Sequence, residues 1–182
     1  MKYGRELIEI IARDSWMMEK MEIVRSLGLN DCWIGAGFVR NKIWDVKHGK
    51  NRSQLNDLDV IYFDKTRNSE NDDLVIENKL KEVDSGVNWS VKNQARMHVK
   101  NNHLPYEDCC DALSWWPETA TAVAVRLSDK GRIEYIAPYG LEDLFHLVVR
   151  PTPKADLETY ATRIEQKQWE KRWELLVIHY IF

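Results

Sequence analysis

Cys32-Trp33-Ile34-Gly35-Ala36-Gly37-Phe38-Val39-Arg40-Asn41 and, after a polar stretch, Asp57-Leu58-Asp59-Val60-Ile61-Tyr62-Phe63 decide the fold. The first segment is a short apolar run closed by a glycine turn. It reads as a strand, a turn at Gly35-Ala36-Gly37, and a helix from Phe38 to about Trp44. Residues 46–56, with His48, Gly49, Lys50, Asn51 and Arg52, read as a polar loop. The second segment alternates and then turns continuously apolar, the pattern of a central strand. On that strand Asp57 and Asp59 share a face, ~7 Å apart at Cα. Two carboxylates so placed repel unless a cation lies between them, and hard oxygen ligands suit Mg²⁺. A solvated strand face is the bland alternative. The glycine turn adds to the metal reading, because backbone without side chains can approach a phosphate and a helix N-terminus favours anions. Arg40, on the helix that follows, can reach the same phosphates.

Working outward, Arg5 to Leu29 has helical spacing of Leu7, Ile10, Ile11, Met17, Met18, Met21 and Val24. Ser69 to Val83 reads as a helix with an N-cap serine and acidic first turn. A strand over Val87 to Val91 leads to a helix over Gln94 to Val99. Asp108 to Trp116 reads as a short helix stopped by Pro117. Strands Val123–Leu127 and Ile133–Ile136 pair around Ser128-Asp129-Lys130-Gly131. Helices over Leu141–Val149 and Asp156–Tyr180 follow. The expected architecture is α+β, a small mixed sheet flanked by helices. Residues 1–150 form the main unit, and 151–182 a helical extension packed on it.

The 182 residues are 44% hydrophobic and 30% charged, enough for one packed core. No apolar run is long enough for a membrane span. Three cysteines fit neither a disulfide framework nor a zinc spacing, so a reducing cytoplasm is expected. A net charge of −3 argues against a wholly basic nucleic-acid surface while permitting a local basic groove. His98 and His103 with Cys109 or Cys110 match no zinc pattern, and Cys109 lacks a visible base. Trp115-Trp116 reads as packing beside Pro117, with stacking on a base as the alternative. Trp169 and Trp173 read as docking of the last helix. Lys167, Lys171 and Arg172 read as a solvated face unless a polyanionic substrate meets them.

The segment Gly35–Asn41 followed by Asp57-Leu58-Asp59 resembles the G-G-x-V-R-D … D-x-D signature of the head domain of CCA-adding enzymes and poly(A) polymerases. That head belongs to the polymerase-beta-type nucleotidyltransferases. Trp89-Ser90-Val91-Lys92-Asn93-Gln94-Ala95 is loosely similar in placement to R-D-F-T-I-N-A. Tyr139-Gly140-Leu141-Glu142-Asp143-Leu144, with Val149-Arg150, is similar to G-G-L-x-D-L … I-R. The sequence more closely resembles a group of small bacterial nucleotidyltransferase-like proteins, through G-A-G-F-V-R-N, D-L-D-V, V-K-N-Q-A-R-M-H and W-P-x-T-A-T-A-V-x-V-R-L at Trp116–Leu127. The resemblance implies Asp57 and Asp59 as catalytic metal ligands for Mg²⁺ or Mn²⁺. It implies Gly35, Ala36, Gly37 and Arg40 as phosphate binders, and Asn93, Gln94 and Arg96 as lining of the nucleotide groove.

The implied reaction moves a nucleoside monophosphate from a nucleoside triphosphate to an acceptor hydroxyl, releasing pyrophosphate. The acceptor, whether small molecule, protein or RNA, the preferred base and the oligomeric state stay open. A catalytically weak nucleotide sensor of the same fold is the rival. Asn41 and Ser90 stand where the CCA-type pattern has Asp, and no third carboxylate is evident; Asp84, the nearest, ends a helix. The sequence stops about where a CCA-adding enzyme begins its tRNA-gripping regions, so a CCA-adding role is not expected.

Overall fold

A computed structural model describes residues 3–67 and 69–181. The chain begins with α1 (Gly4–Ala12) and α2 (Ser15–Arg25), where one helix was expected. Asp14 makes the break: its backbone is extended and its carboxylate accepts from the Met17 amide at 3.1 Å, capping a new helix. Then come β1 (Trp33–Gly35), α3 (Gly37–Lys47), β2 (Leu58–Tyr62) and α4 (Glu70–Val83). Ser69 and Asp72 close a full capping box at the start of α4. β3 (Trp89–Asn93), α5 (Gln94–Asn101), α6 (Cys109–Ser114), β4 (Ala124–Leu127) and β5 (Ile133–Ile136) complete the central part.

Five strands form one mixed sheet in the order β3-β2-β1-β4-β5. β1 runs antiparallel to β2 and β4, whereas β2 and β3 are parallel. The period of two along β2 sorts its side chains between two cores. Leu58, Val60 and Tyr62 join the large cluster built with α1 to α4, and Ile61 and Phe63 join a smaller one under α5 and α6. Asp59 lies on the second face.

Two expected helices are shorter than their spacing suggests. The segment from Leu141 yields only α7 (Glu142–Phe145) before Leu147 turns to a positive φ of 61°. β6 (Val148–Val149) then pairs with β7 (Val177–Ile178), a parallel ladder that takes those backbone groups from a helix. The segment from Asp156 to Tyr180 yields α8 (Leu157–Lys167) and a 3₁₀ turn, Trp169–Lys171. Gln168, left-handed with φ 45°, ends α8 and swings two indoles inward. Trp169 and Trp173 both meet Trp44 edge-on, with centroids 5.5 and 5.1 Å away, and Trp173 Nε1 donates to Asp45 at 2.8 Å. Such contacts contribute about 0.5–1.5 kcal/mol each beyond area burial and outweigh simple helical continuation. No helix among the described residues is long and apolar enough to cross a membrane.

Candidate active site

The turn after β1 lies at the end of the sheet where β2 begins, because the two strands are antiparallel. Asp57 directly precedes β2 and Asp59 is its second residue. With Ala36, Gly37 and Arg40 they line one cavity of about 390 Å³. Ala36 adopts φ 51°, ψ −124°, a conformation that costs a non-glycine residue on the order of 1–3 kcal/mol. Its carbonyl accepts from the amides of Val39 and Arg40, while those of Gly37 and Phe38 find no acceptor among the described residues. Two amides at the N-terminus of α3 are thus left to donate.

Arg40 is buried, 7% exposed, yet no carboxylate among the described residues lies within ion-pair distance of it. Among the described residues its guanidinium donates only to neutral oxygens: Nε and Nη2 to Asn41 Oδ1 at 3.2 and 2.9 Å, and Nη1 to Thr121 Oγ1 at 2.8 Å. It stacks 4.5 Å from the Trp169 ring centre and 5.1 Å from that of Trp44. Burial brings its pKa down to about 10, against the opposing pull of Glu118, so it is charged at neutral pH. No carboxylate touches that charge, and Glu118, Asp59 and Asp57 act on it only from a distance.

Across the cavity, burial and then the charge of Asp57 push the Asp59 carboxyl up to about 6, while Arg40, Arg163 and Lys167 pull it down. The raised value measures the cost of holding Asp59 ionised next to Asp57, a cost that a cation between them relieves. The donor set fits a hard divalent ion, which takes one or two carboxylates and completes its shell with phosphate oxygens and water. No group of three or more metal-ligating side chains occurs among the described residues.

The far wall comes from the C-terminal segment. Arg163, Lys167 and Arg172 all line the cavity, and Arg163 is held by buried Glu118 at 2.7 Å. Lys167 and Arg172 are exposed, and they stand at the cavity rather than on an open face. Nothing in the spacing pointed to Arg163, and Thr121 was visible only as part of the Trp116–Leu127 motif.

Four of the residues expected to bind phosphate or line the groove do not line this cavity. Gly35 sits in β1, where a Cβ would come 3.1 Å from the Trp116 ring and 3.4 Å from the Val123 carbonyl, so packing accounts for it. Asn93 is fully buried; its amide donates to the carbonyls of Asp64 and Arg67 and its oxygen accepts from Asp64 and Ala95, tying β3 to the loop after β2. Arg96 pairs with Asp73 on α4. Gln94 lines a smaller cavity on the other side of Asp59. Among cysteines, burial pushes Cys109 up and Cys32 up to about 12, so neither is a thiolate nucleophile. His103 contacts the Tyr106 hydroxyl and stacks on Trp115.

A glycine turn feeding a helix N-terminus, an adjacent D-x-D strand and a basic facing wall define the nucleotidyltransferase class. The chain belongs to the nucleotidyltransferase family whose model matches residues 22–178. It is 37% identical to a protein whose NMR structure reveals a CCA-adding enzyme head domain, covering 100% of this chain and 98% of that one at a TM-score of 0.87. The fold is also similar to the Thermotoga maritima CCA-adding enzyme complexed with tRNA, at 14% identity and TM-score 0.57, covering 94% of this chain and 42% of that one. A CCA-adding enzyme in complex with CTP is 15% identical with TM-score 0.59, covering 97% of this chain and 43% of that one. The chain thus spans about four-tenths of these two enzymes. No curated protein matches it significantly.

Proposed function

We propose that this chain transfers a nucleoside monophosphate from a nucleoside triphosphate to an acceptor hydroxyl, with Mg²⁺ or Mn²⁺ held by Asp57 and Asp59. The observation that carries the reading is Arg40, a buried cation with no carboxylate in ion-pair contact, facing the Asp57–Asp59 pair across one cavity. A buried unpaired charge is costly, and a bound anion relieves it. Arg40, Arg163, Lys167, Arg172 and the amides of Gly37 and Phe38 suit a triphosphate. A divalent ion would neutralise phosphate charge there during in-line displacement. Residues 1–150 would form the head-like unit, and 151–182 would contribute the basic wall.

Specific support exists for the sensor reading as well. The strand register puts Ser90 beside Asp59, so a neutral residue occupies the nearest position for a further acidic ligand. Transfer and sensing are separated by incubation with triphosphates labelled at the α or γ phosphorus, Mg²⁺ or Mn²⁺, and a cell extract. Transfer moves α-label to an acceptor and releases γ-label as pyrophosphate. Binding without any transfer leaves the sensor, and movement of γ-label to an acceptor would make the protein a kinase instead.

A further inference from the structure

The carboxylate pair borders a second space. Across Asp59 from the basic cavity, a slot of about 170 Å³ runs between the sheet and α5–α6, and Asp59 lines both. Sheet order gives the two spaces different roles. Arg40 follows β1 and Thr121 precedes β4, on one side of β2, whereas β3 lies on the other. In-line transfer keeps attacking and leaving oxygens on opposite sides of phosphorus. With pyrophosphate against Arg40, the attacking hydroxyl arrives from the β3 side, where Ser90 neighbours Asp59 and Lys92 neighbours Ile61.

The walls of the slot say what the acceptor carries. Trp115 and Trp116 are only half-buried and, with Ile61 and Met97, give the slot aromatic and apolar walls, while Asp59, Lys92, Gln94 and Asn101 make the rest of its lining polar. At ~30 Å³ per water the slot holds about six waters, well short of the roughly 300–1,000 Å³ that takes a drug-sized ligand. One planar ring system fits. Gln94 donates to the Lys92 carbonyl at 3.2 Å, which leaves its amide oxygen for a ring N–H, and Lys92 stands exposed at the rim. A polar amide at the edge of aromatic walls suits a heteroaromatic ring with donors on its edge better than a phenyl ring.

Building on the nucleotidyl-transfer reading, we infer that this slot seats the base of a small nucleoside-type acceptor and presents its hydroxyl to the α-phosphorus beside Asp59. The acceptor oxygen bonds to the α-phosphorus and its proton passes to solvent. The bond to the β-phosphate oxygen breaks, and pyrophosphate leaves with the electron pair.

The test uses the full chain, Mg²⁺, tripolyphosphate, α-labelled triphosphates, and adenosine, guanosine, cytidine or uridine as acceptors. At least one nucleoside should shift the indole N–H resonances of Trp115 and Trp116 with tripolyphosphate already bound, and should acquire label. Trp116→Ala should raise the nucleoside KM by about 5- to 150-fold, the usual worth of base stacking on an aromatic ring, and leave the triphosphate KM unchanged. Trp116 also packs on Gly35, so Met97→Trp, which fills the slot from α5, provides a second variant that abolishes nucleoside binding while tripolyphosphate binding persists. If tripolyphosphate shifts the Gly37 and Phe38 amides but no nucleoside moves the indoles, the slot assignment falls and the transferase reading stands. If tripolyphosphate binds nowhere near those amides, the underlying reading falls first. A triphosphate that alone moves the indoles and displaces the nucleosides makes the slot the donor's base site and overturns the acceptor assignment. Label on a tyrosine peptide or an RNA 3′ end, with none on any nucleoside, overturns it too.

Discussion

Replacing Arg40 with methionine should leave the metal-free protein about as stable as before while crippling its affinity for triphosphate. Depression of the Arg40 pKa from 12.5 to about 10 corresponds to a burial cost of about 3 kcal/mol at neutral pH. The sign follows from proton counting. Between about pH 10 and 12.5 the unfolded chain binds more protons, so stability rises there, and below that window the cost is fully present. Against it stand hydrogen bonds to two neutral acceptors, Asn41 Oδ1 (shared by Nε and Nη2) and Thr121 Oγ1, at about 1.5 kcal/mol per acceptor, the low end for a charged donor, and stacking on Trp169, worth about 1 kcal/mol. The opposing contributions nearly cancel, so Arg40→Met should change unfolding free energy by no more than about 1 kcal/mol, read from urea denaturation. Breaking a buried structural ion pair costs about 3–5 kcal/mol. Loss of charge-assisted bonds to phosphate should weaken tripolyphosphate binding by about 10- to 150-fold, from 1.5–3 kcal/mol, as measured by titration calorimetry. A variant destabilised by 4 kcal/mol or more would make Arg40 a structural cornerstone, and unchanged affinity would remove it from the anion site.

In the metal-free protein, Asp59 holds its proton up to about pH 6 when folded and to its ordinary value of 3.8 when unfolded. Its contribution to stability is therefore lost as pH rises between those values, a difference of about 3 kcal/mol. Asp59→Asn should be the more stable protein at pH 7, with the gap closing near pH 4; a gap independent of pH would contradict the raised value. Metal affinity of the wild type should fall about tenfold per pH unit below 6, as protons compete for the same oxygen. Ala36→Gly relieves backbone strain at φ 51° and should raise stability by about 1 kcal/mol in urea denaturation. A loss there would mean that the turn is not strained as described. Ser90→Asp adds a carboxylate beside Asp59 and should increase metal affinity and label transfer. No change in either would place Ser90 outside the metal shell.

Much of this architecture was legible because it depends on local pattern. Alternation after Asp57 put both carboxylates on one face, and the serine before an acidic turn fixed the start of α4. The strand–glycine–helix sequence set Arg40 near the carboxylates. Elements decided by distant contacts were not legible. Gln168 carries no turn signal, and it becomes left-handed because Trp169 and Trp173 reach Trp44, more than a hundred residues earlier in the chain. The same turn brings Lys167 and Arg172 to the cavity, so their place there follows from packing that no spacing reveals. Asn93 and Arg96 lie outside the cavity that holds Asp57 and Asp59 for the converse reason. Their motif carries polar side chains, but Asn93 bonds to the neighbouring loop and Arg96 pairs with Asp73. Trp115-Trp116 was ambiguous between packing and stacking, and the fold sets both indoles at a slot shared with Asp59.

The central claim is that Arg40 and the start of α3 hold a triphosphate whose metal sits on Asp57 and Asp59. Its most direct test is an NMR titration of the full chain with tripolyphosphate, without and then with Mg²⁺. The account predicts shifts of the Gly37 and Phe38 amides, the Arg40 Nε–H and the Trp169 indole on adding tripolyphosphate. A second set at Asp57–Asp59 should follow only with Mg²⁺ and be absent in Asp59→Asn. Shifts confined to other surfaces, or a Mg²⁺ response that survives in Asp59→Asn, would contradict it.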